Sequence, residues 1–319
     1  CAAIGAARIP STMRVLSIFT PAGRRAAGSA AFNITGGAVR GSRLGLALAL
    51  AVSLMAADAG ALDQARRLYQ QTRYEQAVKL LSRQRSAEAL ALLGKAHYGL
   101  EDYTEAIKAL ERAVAAEPDN AHYWNWLGKA YGRRAETGSF LSAPGAASKC
   151  RKAFEKAVEL APDCIEAIND LFSYYLDAPG FLGGGKDKAA TLAERVKPLD
   201  EAEYEYLQAQ LARKREDFGA AERHFRRALG LEPKRVGRHL DLAAFLSEQG
   251  RYEESDRQFD EAGKLAPDAP KVLFSRAKAF IRAGRNLDEA RELLRRYLEA
   301  ELTPEDPPRP EARRLLERM

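Results

Sequence analysis

Residues 178–189 read APGFLGGGKDKA, and Gly180-Phe181-Leu182-Gly183-Gly184-Gly185-Lys186 within them fits G-x-x-x-x-G-K. A loop of that pattern binds phosphate when a strand leads into it and a helix leaves it. Its N–H groups then converge on the anion, the lysine reaches the outer phosphates, and a Ser or Thr after the lysine holds Mg²⁺. Here the preceding run, AINDLFSYYLD, has helical rather than strand character. Asp187 stands where the Ser or Thr belongs, and its carboxylate would repel phosphate. No apolar strand ending in Asp supplies a second magnesium ligand. A structural role explains more. Pro179 stops one helix, and three successive glycines disfavour helix by about 3 kcal/mol relative to Ala. A new helix then starts near Lys186 or Asp187, where an acidic residue suits the N-terminal dipole. Phe181 and Leu182, apolar residues in a loop, are expected to fold back and plug the end of the helix pair.

Other reactive residues give weaker signals. His97, His122, His224 and His239 lack metal-ligand or H-E-x-x-H spacing. His97 and His239 fall at positions expected to face the core. No G-x-S-x-G is present, and no metal or cofactor is expected. Cysteines occur at 1, 150 and 164, with no C-x-x-C. If Cys150 lies near the start of a helix and Cys164 just past its end, about 15 Å separates their levels. A disulfide needs Cα atoms within about 7 Å, so no bond between these two is expected.

The charge is unevenly placed. The chain carries +6 overall. Residues 1–61 hold six arginines (8, 14, 24, 25, 40 and 43) against Asp58 alone, leaving the remainder nearly neutral. That remainder has no electrostatic footprint for nucleic acid. Residues 1–61 read instead as a targeting segment, with a signal-peptide core over 40–61. Arg40 and Arg43 precede the apolar run LGLALALAVSLMA, and small residues follow at an A-x-A site. Thirteen residues reach about 20 Å, short of a bilayer core of roughly 30 Å. Cleavage after Ala59 or Ala61 both fit, and no stable membrane span is expected afterwards. Export, most simply to a bacterial periplasm, is the expectation. A mitochondrial presequence is the alternative, since the segment is rich in Arg and Ala.

From residue 62 onward the sequence repeats. LALLGKAHYGLEDYTEAIKALERAVAAEP (90–118) and HLDLAAFLSEQGRYEESDRQFDEAGKLAP (239–267) align position by position. Each has Leu followed by Gly or Ala in its first half. Then come Tyr (103, 252), a small residue (Ala106, Ser255), a large apolar one (Leu110, Phe259), Ala (113, 262) and Pro (118, 267). Trp124, Leu127, Gly128, Tyr131, Phe154, Ala157 and Pro162 continue the pattern, as do Phe218, Ala221, Phe225, Ala228 and Pro233. No segment alternates as a strand would; Ala, Leu, Glu, Lys and Arg at helical spacing dominate. This pattern resembles the tetratricopeptide repeat (TPR), a helix–turn–helix unit of about 34 residues. The resemblance implies an all-α, right-handed superhelical solenoid. Seven repeats are expected over about 62–86, 87–120, 121–164, 165–200, 201–235, 236–269 and 270–303, with a capping helix over 310–319. About ten extra residues near RRAETGSFLSAPGAAS should sit between the helices of the third repeat, and one extra in the turn of the seventh. The glycine loop is also similar to one in exported bacterial TPR proteins carrying a PGFLGGG-type stretch.

What the resemblance implies for function is a concave groove lined by the first helix of each repeat. Its positions give Lys95 and Tyr98, then Asn125, Lys129 and Arg133, then Asn169 and Ser173, with Leu240, Phe274 and Lys278 further on. The first part is polar and basic, suited to a carboxylate or an acidic peptide. Some members clamp a peptide's terminal carboxylate with Lys and Asn here. Asn125 and Lys129 have these types in the opposite order, so the clamp is not carried over. The expected function is a non-catalytic scaffold for a protein or peptide partner. The alternatives are a nucleotide-binding enzyme using residues 180–187 and an architectural, self-assembling solenoid.

Overall fold

A computed structural model describes residues 60–139 and 142–319. Of the expected targeting segment 1–61, all but the last two residues lie outside them. The described residues are helical throughout, with no strand among them. Seven antiparallel pairs follow one another: α1 (residues 60–70) with α2 (Tyr74–Leu81), α3 (Ala87–Gly99) with α4 (Tyr103–Ala116), α5 (Ala121–Thr137) with α6 (Ala143–Leu160), α7 (Ile165–Asp177) with α8 (Lys186–Glu194), α9 (Glu201–Lys214) with α10 (Phe218–Leu231), α11 (Val236–Glu248) with α12 (Tyr252–Leu265), and α13 (Pro270–Ala283) with α14 (Leu287–Glu299). A last helix, α15 (Arg309–Glu317), closes the array.

Five of the seven pairs are locked by a small residue on the first helix facing a large one on the second. A Cβ built on Gly94 would lie 2.5 Å from Leu110 Cγ, and one on Gly128 would lie 2.4 Å from the Phe154 ring. Ala209 with Phe225, Ala243 with Phe259 and Ala277 with Leu294 occupy the matching places, all buried. Repeat four reverses the arrangement. Phe172 stands on α7, and the buried small residues Ala189 and Ala193 are on α8. Most turns within a pair take three residues. The Asp102 and Asp217 side chains cap α4 and α10 by accepting from the backbone N–H three residues on.

Three expectations need correction. The extra residues of the third repeat lengthen its helices to 17 and 18 residues rather than forming a long loop. Cys150 therefore lies mid-helix; it is a free, buried thiol and is not joined to Cys164. The extra residue of the seventh repeat is likewise absorbed, since α13 has 14 residues and the turn at 284–286 is no longer than the others. Finally, Phe181 does not plug the helix pair. Gly180–Leu182 form a 3₁₀ turn that leaves Phe181 84 % exposed, with only Leu182 half-buried. The loop's own hydrogen bonds, described below, hold it against α7 and turn Phe181 outward.

The end of the array returns to its start. Both Nη atoms of Arg314 on α15 donate to the Glu101 carboxylate, at 2.7 and 2.8 Å. Arg309 Nη1 donates to Thr72 Oγ1 at 2.8 Å. Leu302 and Ala312 are buried in the core that α13, α14 and α15 share.

Gly128→Ala should lower unfolding stability by about 1–3 kcal/mol, because the Phe154 ring has to shift. Gly263→Ala, inside α12 with nothing within 4 Å of its Cβ, should raise stability by about 0.5–1 kcal/mol. Urea titration of the two variants checks both signs.

Candidate functional site

The first helices of successive pairs stand side by side and are joined by polar side chains one repeat apart in sequence. Lys95 Nζ on α3 lies 2.5 Å from His122 Nε2 on α5. Asn125 Nδ2 on α5 donates to Asp170 Oδ2 on α7 at 2.8 Å. Lys129 Nζ pairs with Glu166 at 2.8 Å and Asp170 at 3.2 Å. Asn169 Nδ2 on α7 donates to Glu203 Oε1 on α9, and Glu203 Oε2 accepts from Arg238 on α11 at 2.6 Å. Residues expected to face a ligand are thus, in part, what joins one repeat to the next. Asn125 is 3 % exposed and joins the repeats through Nδ2 alone, its buried Oδ1 having no partner among the described residues.

The electrostatics of this wall differ from a simple basic groove. Burial lowers the ammonium of Lys129, but Asp170 and Glu166 outweigh it and hold the group above its ordinary value. Arg133 lies over the Tyr103 ring, donates to Tyr103 Oη at 3.2 Å and pairs with Glu136. Lys95 has no carboxylate within ion-pair distance among the described residues. Burial pushes its ammonium down to about 8. Burial, then the neighbouring Lys95, pushes His122 down to about 4, so the imidazole is neutral and accepts from the ammonium. Both lysines sit 5.0 Å from the centroid of the Trp126 ring, where the π-face attracts cations.

Beside this wall lies a hollow of about 560 Å³. Tyr98, Lys129, Arg133 and Ser173 border it from the first helices. Pro144, Ala147, Cys150 and Phe154 of the lengthened α6 form its floor, and Pro179, Phe181 and Leu182 of the glycine loop form its far lip. The Cys150 thiol is pushed up to about 12 by burial and is unreactive as a nucleophile. Four of the seven groove residues picked out in the sequence therefore meet at one place. Asn169 and Ser173 also border a second hollow, of about 520 Å³, between α7, α9 and α11.

The glycine loop has its own geometry. Gly183 N donates to Gly180 O, Gly184 N to Pro179 O and Gly185 N to Tyr175 O, at 2.8–3.3 Å. Tyr174 Oη donates to Leu182 O and Lys188 Nζ to Gly183 O. A Cβ on Gly184 would meet Ala178 O at 1.8 Å, so only glycine lets the loop lie this close to the chain before it. These amides are spent internally and do not form an open cradle for phosphate, and the segment before the loop is the helix α7. The sequence missed that the loop displays Phe181, and missed the carboxylates of α7 that neutralise Lys129. The recurrence of Glu166 and Asp170 one repeat after Lys129 was the available signal.

Two family models, each described as tetratricopeptide repeat, match residues 91–136 and 212–273. A comparison with curated proteins gives no match. Among solved structures, a TPR protein from Parabacteroides merdae is similar with a TM-score of 0.54 at 12 % identity, covering 82 % of this chain and 98 % of that one. A thermophilic TPR protein of Thermus thermophilus is similar over 59 % of this chain and 98 % of that one, at 20 % identity and a TM-score of 0.49. Residues 91–136 and 212–273 thus match tetratricopeptide repeats, and the fold of the described residues is an all-α solenoid of that type.

Replacing Lys95 by Met should move the His122 titration upward from about 4, by part of the distance to 6.5, because a positive neighbour is removed while burial stays. NMR titration of the imidazole checks this; an unchanged midpoint would show that burial alone sets it.

Proposed function

We propose that this protein is an exported, non-catalytic scaffold that holds a partner protein by an apolar side chain seated in the hollow beside Phe181. One observation carries the reading: the groove residues Tyr98, Lys129, Arg133 and Ser173 converge with the exposed glycine loop around a single apolar hollow. Tetratricopeptide repeats commonly mediate protein interactions, and a preformed pocket for one anchor side chain is how such surfaces concentrate affinity. Phe181, held out on a loop in which residues 182–185 donate their amides internally, adds contact area at little entropic cost. The paired cations on the rim, Lys129 and Arg133, fix orientation more than they attract charge.

Export is supported by the basic residues, apolar run and A-x-A site of 40–61. Among the described residues no helix is long and apolar enough to cross a membrane. The nucleotide reading loses support because Gly183, Gly184 and Gly185 already donate their amides, a helix rather than a strand leads into the loop, and Asp187 stands where Ser or Thr would hold Mg²⁺. Self-assembly through the terminal repeats loses support because α15 occupies part of the first pairs' surface.

Selection of displayed random peptides against the immobilised full chain tests the proposal. Selected peptides should share an aromatic or large aliphatic anchor. They should lose binding to Phe181→Glu and keep it for Leu231→Glu, an exposed apolar position outside the hollow. Peptides that bind both variants alike, or a selection that yields no anchor, would contradict it.

A further inference from the structure

The second hollow, between α7, α9 and α11, has an unbalanced inventory of hydrogen-bonding groups. Its cations are all matched. Arg213 pairs with Glu248 at 3.1 Å, Lys214 with Asp177 at 2.9 Å, and Arg235 with Glu232 at 2.9 Å. Arg238, only 4 % exposed, is held by Glu203 at 2.6 Å and Glu232 at 2.8 Å. Two acceptors in the wall are not matched. The Asn169 amide gives its Nδ2 to Glu203, which as a carboxylate can only accept, so the orientation is fixed and Oδ1 faces no donor. Asp241, whose side chain is 32 % exposed towards the hollow, accepts no hydrogen bond among the described residues, and its one ion pair there is a long one, with Arg238 Nη1 at 4.0 Å. What the hollow lacks is therefore a donor, and a charged one.

We propose that this hollow takes the cationic side chain of a partner protein, a lysine ammonium or an arginine guanidinium, with Asp241 as its counter-ion. The volume, about 520 Å³, accommodates such a group with the stem that carries it. The site adjoins the apolar hollow of the proposed function, sharing Asp170, Ser173 and Asp177 with it, but of the two Asp241 lines only this one. The groups facing Asp241 are Arg238 and Arg235 at and within α11, and Glu203 and Arg213 on α9. Lys278 and Arg282 of α13 border the adjoining hollow that Asp241 also lines. Burial pushes the Asp241 carboxyl up to about 7, with Arg238 opposing it and Glu203 adding to it, the state of an acid short of a cation.

The test uses the full chain at pH 8, where Asp241 is ionised, and two probes, Nα-acetyl-lysine amide and its Nε-acetylated, uncharged counterpart. Titration followed by amide NMR shifts of α7, α9 and α11 should show saturable binding of the charged probe. Binding of the uncharged probe should be at least about tenfold weaker, about 1.4 kcal/mol. Asp241→Asn should weaken binding of the charged probe. Equal binding of the two probes, no saturable shift with the charged one, or undiminished binding to Asp241→Asn would overturn the proposal. Cadaverine binding much more tightly than the lysine amide would overturn the assignment to a protein side chain in favour of a free polyamine. Folding of the key variant is checked by its stability. A carboxyl raised above its unfolded value of 3.8 makes the native state bind more protons through the window from about 4 to 7, so its ionisation weakens folding as pH rises. Asp241→Asn should therefore melt higher than the parent at pH 8 and no higher at pH 4.

Discussion

At Gly128 a methyl group would lie 2.4 Å from the ring of Phe154, so the two helices of that pair stand as close as backbone and ring allow. The same contact recurs between Gly94 and Leu110 and, with alanine, at Ala209, Ala243 and Ala277. Close approach fixes the angle within a pair, and each pair then buries its remaining apolar face only by stacking on the next. Everything functional is downstream of that spacing. The first helices come near enough for one-repeat side-chain contacts such as Asn125 with Asp170 and Asn169 with Glu203. They remain far enough apart to leave hollows between them.

Departures from the repeat make the site. The extra residues of the third repeat lengthen α5 and α6 beyond their neighbours, and the first turn of α6, with Pro144 and Ala147, becomes a wall of the hollow. In the fourth repeat the large and small residues change helices, α8 shortens to 9 residues, and the glycine loop fills the space that a tight turn occupies elsewhere. Longer loops cost little entropy, and this one is further fixed by Tyr174, Tyr175 and Lys188. The result is a rigid lip carrying an exposed phenylalanine next to an apolar floor.

The repeat architecture was legible because its signal is local and periodic. Small and large residues at fixed offsets, aromatics after each turn and prolines after each second helix name the pairs without reference to the fold. Where the glycine loop begins and ends was legible for the same reason, since Pro179 and Lys186 bound it. What Phe181 does was not, because its direction is set by backbone hydrogen bonds such as Gly185 N to Tyr175 O that composition does not encode. The groove residues were legible as positions but not as states. Lys129 and Asn125 meet their carboxylates 37 to 45 residues away, and only the stacking of pairs shows that one is neutralised and the other buried. The contact of Arg314 with Glu101 spans 213 residues and depends on the accumulated rotation of every pair between them, which no single repeat discloses.

The account turns on whether the lip and floor beside Phe181 are where a partner rests. A photoreactive benzoylphenylalanine placed at 181 in the full chain, in cells of the source organism, addresses this directly, with the same group at 231 as the comparison. A discrete adduct from position 181, absent from 231 and suppressed when Arg133 is replaced by Glu, is the result expected. Adducts from 231 alone, or none from 181, would contradict it and move the interaction surface away from the glycine loop.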